Sequence, residues 1–434
     1  MESKKKQPRS SASFRNIFVI AGVAFLLLIY PVLWLRIVND PAQRTAVDFL
    51  PFYAAGRIAI TQGMSRVYDW EAQRQAENDV LDETIRQILV SAGKPVTPQS
   101  FGAPMQSSEV NPFPHPPFIL PALMLLAHLD YLPAFIVWSV LMTALFILSA
   151  FILVKLVPQA QRWDRWVLLF GTALFFPAFF SIVNGQDTAL LLLGASIWLS
   201  GLLRERERLS GLGLALTLIR PHMGVMLAPP FLFKRRRVWA WFCAGASLLV
   251  LVSVLLVGRS GVVDFLRILV ASENGGFKFY NEELMVNLIG FLRRTFPSMP
   301  VASVHLVGWV GFAVAIIYLC LVWAKSAEIK ERQIGLAVIV MIIGTPHIHY
   351  HDLALLLIPL FGIIRILLDK KLMQPGEVVL LPLVISLLLF TSFLLLPGLK
   401  YLVYYALLLW MVVALRYPEK VVFWKRIKKQ EVRI

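Results

Sequence analysis

Apolar runs long enough to cross a bilayer recur from one end of the chain to the other, beginning with residues 16–38. A spanning helix needs about 20 such residues. In lipid, only a helix or a closed barrel satisfies every backbone polar group. No strand-like alternation is present, so the runs predict an all-α polytopic membrane protein. Of the 434 residues, 58% are hydrophobic and 16% charged, where soluble chains carry about 45–50% and about 25%. That balance excludes a soluble enzyme, a disordered chain and a disulfide scaffold. Cys243 and Cys320 sit inside apolar runs, which predicts packing rather than redox or metal chemistry.

The net charge of +16 does not point to nucleic acid, because the basic residues cluster in short segments between apolar runs. The positive-inside bias explains them. Lys155, Arg162 and Arg165 mark one cytoplasmic loop, and Arg204, Arg206 and Arg208 another. Lys234–Arg237, Lys325–Arg332 and Arg365–Lys371 mark three more. Both termini belong on that side: a basic segment 1–15 and a basic tail 417–434 flank a membrane domain 16–416. Alternating the sides gives about twelve spans. Segments 39–116 and 258–300 then face outward, and 70–93 has the apolar spacing of an amphipathic surface helix. The run 116–129 is short, which suits a re-entrant or interfacial helix. The runs 210–219 and 222–233, split at Arg220-Pro221, form a broken hairpin that needs protein or a water-filled cavity over it.

Polar groups in such a chain are costly and usually have a task. Asp48, Asn184, Gln186, Asp187, Arg220, His222, His347, His349, His351 and Asp352 all fall on the outward side, where one polar cavity would gather them. Asp48 is either a helix cap or a base in a partly dry pocket. Asp40, before Pro41, reads as a solvated interfacial acid. His347, His349 and His351 alternate, so an extended segment would present them together, to a metal, to an anion, or as a structural break. Arg220 suits a phosphate or carboxylate or an internal ion pair. Asn184 and Gly185 suit a tight turn, and Gln186 and Asp187 suit sugar hydroxyls. Arg293 and Arg294 meet lipid phosphates or pack in a surface helix. No nucleotide-binding loop, HExxH or GxSxG is present, so a transferred group would come from the membrane itself.

The stretch DFLPFYAAGRIAITQGMSRVYDW resembles the first outward loop of the GT-C membrane glycosyltransferases. More narrowly it resembles that of glycosyltransferase family 87, the polyprenyl-phosphate-mannose-dependent mannosyltransferases. Asp48, Tyr53, Ala54, Ala55, Gly63, Tyr68 and Asp69 carry the pattern. The segments 111–123, 184–194, 214–239 and 345–360 continue it. The resemblance implies a GT-C-like bundle in a bacterial cytoplasmic (inner) membrane, with the active site on the extracytoplasmic side. The donor would be a polyprenyl-phosphate sugar and the acceptor a lipid or glycan. No cofactor or metal is implied, and Phe49 stands where a second acid would be needed to bridge one.

In the family the first-loop aspartate is the base, a role that maps onto Asp48. Arg220, His347, His349 and His351 would hold the donor phosphate. Tyr53, Asn184, Gln186, Asp187 and His222 would contact sugar or acceptor. The competing readings are an O-antigen polymerase or ligase, working through Arg293 and Arg294, and a transporter with its site at broken helices.

Overall fold

The computed structural model describes residues 9–97, 109–273 and 281–421. Pro98, Pro104, most of the basic N-terminal segment and most of the C-terminal tail lie outside them. The described residues are almost entirely helical, with no strand. Eight helices are long and apolar enough to cross a membrane: Arg15–Asn39, Tyr131–Val154, Arg162–Val183, Arg236–Ser272, Val301–Lys325, Tyr350–Asp369, Pro375–Leu394 and Pro397–Arg416. The remaining apolar segments of the expected twelve are shorter. Their outer surface is apolar, with Leu28, Leu255, Leu306 and Leu402 exposed, as lipid contact requires.

The short helices survive because protein covers them. Thr188–Leu203 is enclosed at Leu191, Leu192, Ala195, Trp198 and Leu199. Glu207–Leu216 lies so close to it that a Cβ on Gly213 would sit 2.6 Å from the Trp198 nitrogen. Small residues permit that approach, and dispersion then replaces lipid contact. The broken hairpin is present as Glu207–Leu216, a turn Thr217–Ile219 and Pro221–Leu227. The run after Pro116 is a turn Pro117–Ile119 and a helix Leu120–Leu126, too short to span.

Asp69 caps the helix Trp70–Ser91 by accepting from Ala72 N at 2.8 Å. At Gly258 the backbone leaves helical geometry, with φ +67° and ψ −174°, a conformation open to glycine, so two helices meet at a kink there within Arg236–Glu273.

The basic loops gather at one end. Arg204 donates to Lys155 O at 3.4 Å, and Arg365 donates to Leu156 O at 2.6 Å and to Glu331 at 2.7 Å. Gln159 reaches Asp369 at 2.8 Å, and Lys370 reaches Glu419 at 2.6 Å. Thr188–Leu203 runs from Asp187 to Arg204, about 24 Å at 1.5 Å per residue. The NGQD turn therefore sits at the opposite end from these loops.

Candidate functional site

At that opposite end four chain breaks meet. Asp48 precedes the helix Phe49–Thr61 but makes no side-chain cap hydrogen bond. Asp40 does cap its helix, accepting from Ala42 N at 3.0 Å and Gln43 N at 3.3 Å. The NGQD turn packs onto the Asp48 helix through Gly185, whose φ is +68° and where any Cβ would collide with Phe49. The buried Trp138 indole holds the same turn, donating to Gly185 O at 2.8 Å. The turn thereby delivers Gln186 to Asp48.

A cavity of about 410 Å³ opens between these breaks, within the range of small-ligand sites. Asp48, Asn184, Gln186, Arg220, His222, His347, His349 and His351 line one part of it. Phe52, Pro112, Pro114 and His115 line a second, and Phe180, Tyr350, Phe393, Lys400 and Tyr401 a third.

Hydrogen bonds tie the polar wall together. Gln186 Nε2 donates to Asp48 Oδ2 at 2.7 Å, and Arg220 Nη2 donates to Gln186 Oε1 at 2.7 Å. Arg220 also lies 3.0 Å from Asp187 Oδ1, and His115 Nδ1 lies 2.9 Å from Asp187 Oδ2. Asp352 accepts from His349 N at 3.1 Å and lies 3.5 Å from His351 Nε2. The ring centroids of His347 and His349 are 4.7 Å apart, and those of His349 and His351 are 5.8 Å apart. The backbone is extended only as far as His349, because a 3₁₀ turn begins at Tyr350. All three imidazoles nonetheless reach the cavity.

Burial works against the Arg220 guanidinium, but Asp187, then Asp352 and Asp48, outweigh it and keep it charged. Burial alone would raise the Asp187 carboxyl, yet Arg220 and then His115 hold it well below the usual carboxylate range. Burial, with Arg220 nearby, lowers His222 to about 4. Burial and His351 lower His349 to about 4. His347 is pushed well below its ordinary value by burial and its histidine neighbours.

Two expected contact residues do not line the cavity. Asp187 is fully buried and committed to Arg220 and His115. Tyr53 turns away and donates to Leu129 O at 2.9 Å. Arg293 and Arg294 are likewise spent on the fold. Arg293 pairs with Glu282 at 3.0 Å. Arg294 donates to the carbonyls of Glu283 and Met285 and to the Tyr405 hydroxyl, each at 2.6 Å.

The sequence alone marks no role for His115 or Lys400. His115 sits in a proline-rich stretch, NPFPHPPF, where it reads as loop. It is fixed by the Phe52 ring, 4.4 Å away between centroids, and by Tyr68, which donates to His115 O at 2.6 Å. Gln73 and Glu77 hold the same stretch from the surface helix, accepting from Phe113 N at 3.3 Å and Asn111 N at 3.1 Å.

A helical bundle with eight apolar spans among the described residues, and with a cluster of buried ionic groups around a cavity, is a polytopic membrane protein with a candidate active site. A model of glycosyltransferase family 87 matches residues 113–346, more than half of the chain, and the chain belongs to that family. It is therefore a membrane glycosyltransferase. The matched span contains His115, Asn184, Gln186, Asp187, Arg220 and His222. Asp48 precedes it and His347 follows it directly, and the fold brings both to the same cavity. No curated protein matches the chain.

Proposed function

We propose that this glycosyltransferase moves a hexose, mannose by family resemblance, from a polyprenyl-phosphate donor to a lipid or glycan acceptor, with inversion and with Asp48 as general base. The acceptor hydroxyl gives its proton to Asp48 as its oxygen attacks C1 of the sugar. The bond from C1 to the phosphate oxygen breaks, and polyprenyl phosphate leaves. A phosphate monoester has its second pKa near 6, so it departs without a proton. A glycosidase needs a second carboxyl group as acid because its leaving group is an alcohol; this site needs none. The hydrogen-bond donors of Arg220 and of His347, His349 and His351 form the wall against which the sugar phosphate lies. Asn184, Gln186 and His222 border the sugar or acceptor.

The observation that carries this reading is the state of Asp48. It is half-buried, lines the cavity, and has one oxygen on the Gln186 amide. Its other oxygen has no protein partner among the described residues. Asp187 and Asp352, the neighbouring carboxylates, are buried and engaged. The concentration of Lys and Arg at the far end of the bundle supports a cavity on the extracytoplasmic side of a bacterial inner membrane, with both termini cytoplasmic. The test incubates purified protein with radiolabelled polyprenyl-phosphate hexoses and a membrane lipid extract. Label passing to the extract from polyprenyl-phosphate mannose is the expected result. Transfer only from a nucleotide sugar would overturn the donor assignment.

A further inference from the structure

The cavity has a charge imbalance on its polar side. Three carboxylates, Asp48, Asp187 and Asp352, surround one guanidinium, Arg220, which is already bound to Asp187 and Gln186. His222, His347 and His349 are kept neutral by their burial. The one guanidinium of that wall is already paired, and a departing phosphate develops a second negative charge.

Elsewhere on the cavity lining the situation is reversed. Lys400 opens the helix Lys400–Arg416 and lines the cavity beside Phe393 and Tyr401. Its Nζ lies 5.0 Å from the centroid of each ring. Among the described residues it makes no hydrogen bond and no ion pair. Tyr401 carries a second cation, the Arg294 guanidinium, 3.6 Å from the same ring centroid, and every contact described for Arg294 is to a neutral group. Two cations thus share one aromatic ring, and neither forms an ion pair among the described residues. Aromatic faces offset only part of an ammonium's lost hydration. A half-buried ammonium in that setting gains most from an anion. The flanking surface is apolar: Phe180, Tyr350 and Phe393 pack with centroids 4.6 Å apart for both Phe180–Phe393 and Tyr350–Phe393.

We propose that Lys400 is the cation that binds the phosphate of the lipid-linked donor, with the aromatic wall of Phe180, Tyr350 and Phe393 taking the adjoining isoprenoid and the sugar turned toward Asp48. The assignment rests on the polyprenyl-phosphate reading above. Lys400 forms no bond in the reaction. It holds the phosphate in the ground state and as the leaving group.

The test measures binding of polyprenyl phosphate and of uncharged polyprenol to the full chain in detergent, with inorganic phosphate as competitor. The wild type should prefer the phosphate. Lys400→Met should weaken polyprenyl phosphate about 10- to 100-fold, the worth of a charged hydrogen bond, and leave polyprenol unchanged, which also reports an intact fold. Lys400→Arg should restore most of the preference. In turnover, Lys400→Met should raise KM for the donor more than it lowers kcat. Undiminished phosphate preference in Lys400→Met overturns the assignment while leaving the donor reading intact. A wild type that binds both lipids equally overturns the donor reading and Lys400 with it. Competition by inorganic phosphate at equal concentration would make this a free-anion site and also overturn the assignment.

Discussion

Gln186 donates its amide N–H to Asp48 at 2.7 Å while its carbonyl accepts from Arg220 at 2.7 Å. A guanidinium only donates and an ionised carboxylate only accepts, so the two neighbours fix which way the amide points. The amide carries the polarity of Arg220 to the carboxylate and leaves one Asp48 oxygen open to the cavity. Gln186→Glu keeps the shape and reverses the effect, setting a second anion against Asp48. Its kcat/KM should fall about 10- to 100-fold at pH 7, with the acidic limb of the pH profile moved upward. Gln186→Leu should lose activity without that upward displacement.

Asp187 acts beneath the surface of the cavity. Removing its charge leaves the Arg220 guanidinium and His115 buried without their partner. Asp187→Asn should cost about 3–5 kcal/mol, the usual penalty for breaking a buried pair. A thermal unfolding scan in detergent checks this, and an unchanged Tm would contradict the pairing.

The neutral imidazoles make the fold acid-sensitive. His222 and His349 are lowered to about 4, whereas an unfolded histidine titrates near 6.5. Between those values the unfolded chain binds protons the native one does not, so stability falls as pH drops from about 6.5 toward 4. Both rings border the cavity, so screening limits the loss to the order of 1 kcal/mol each. Tm should be lower at pH 5 than at pH 8, and His222→Gln with His349→Gln should flatten the difference.

Gly185 is the hinge of the arrangement. Its positive φ and the collision of any Cβ with Phe49 mean that Gly185→Ala must push the NGQD turn off the Asp48 helix. The strain is worth about 1–3 kcal/mol. Transfer activity should fall more than Tm, because Gln186 and Asp48 separate before the bundle melts.

Much of this site is legible in the sequence because a charge in an apolar chain stands out. Asp48, Arg220 and the histidine turn declare themselves that way, and the broken hairpin follows from Arg220-Pro221. The roles of Asp187 and Tyr53 are not legible. Their side chains suit a sugar, and only tertiary partners, Arg220 with His115 and the Leu129 carbonyl, claim them instead. His115 is hidden by its prolines, since its burial depends on Phe52 and Tyr68, far away in the chain. Lys400 stands in a short PGLK stretch, and only the fold sets Phe393 and Tyr401 around it. Gly258 reads as a helix end, and the backbone does leave helical geometry there, with a second helix following.

The central claim is that Asp48 takes the acceptor's proton. Its most direct measurement is the single-turnover transfer rate from polyprenyl-phosphate mannose for wild type and Asp48→Asn, with donor binding measured in parallel. Asp48→Asn should bind the donor as the wild type does and transfer about 10²- to 10⁴-fold more slowly. Transfer at the wild-type rate would contradict the account.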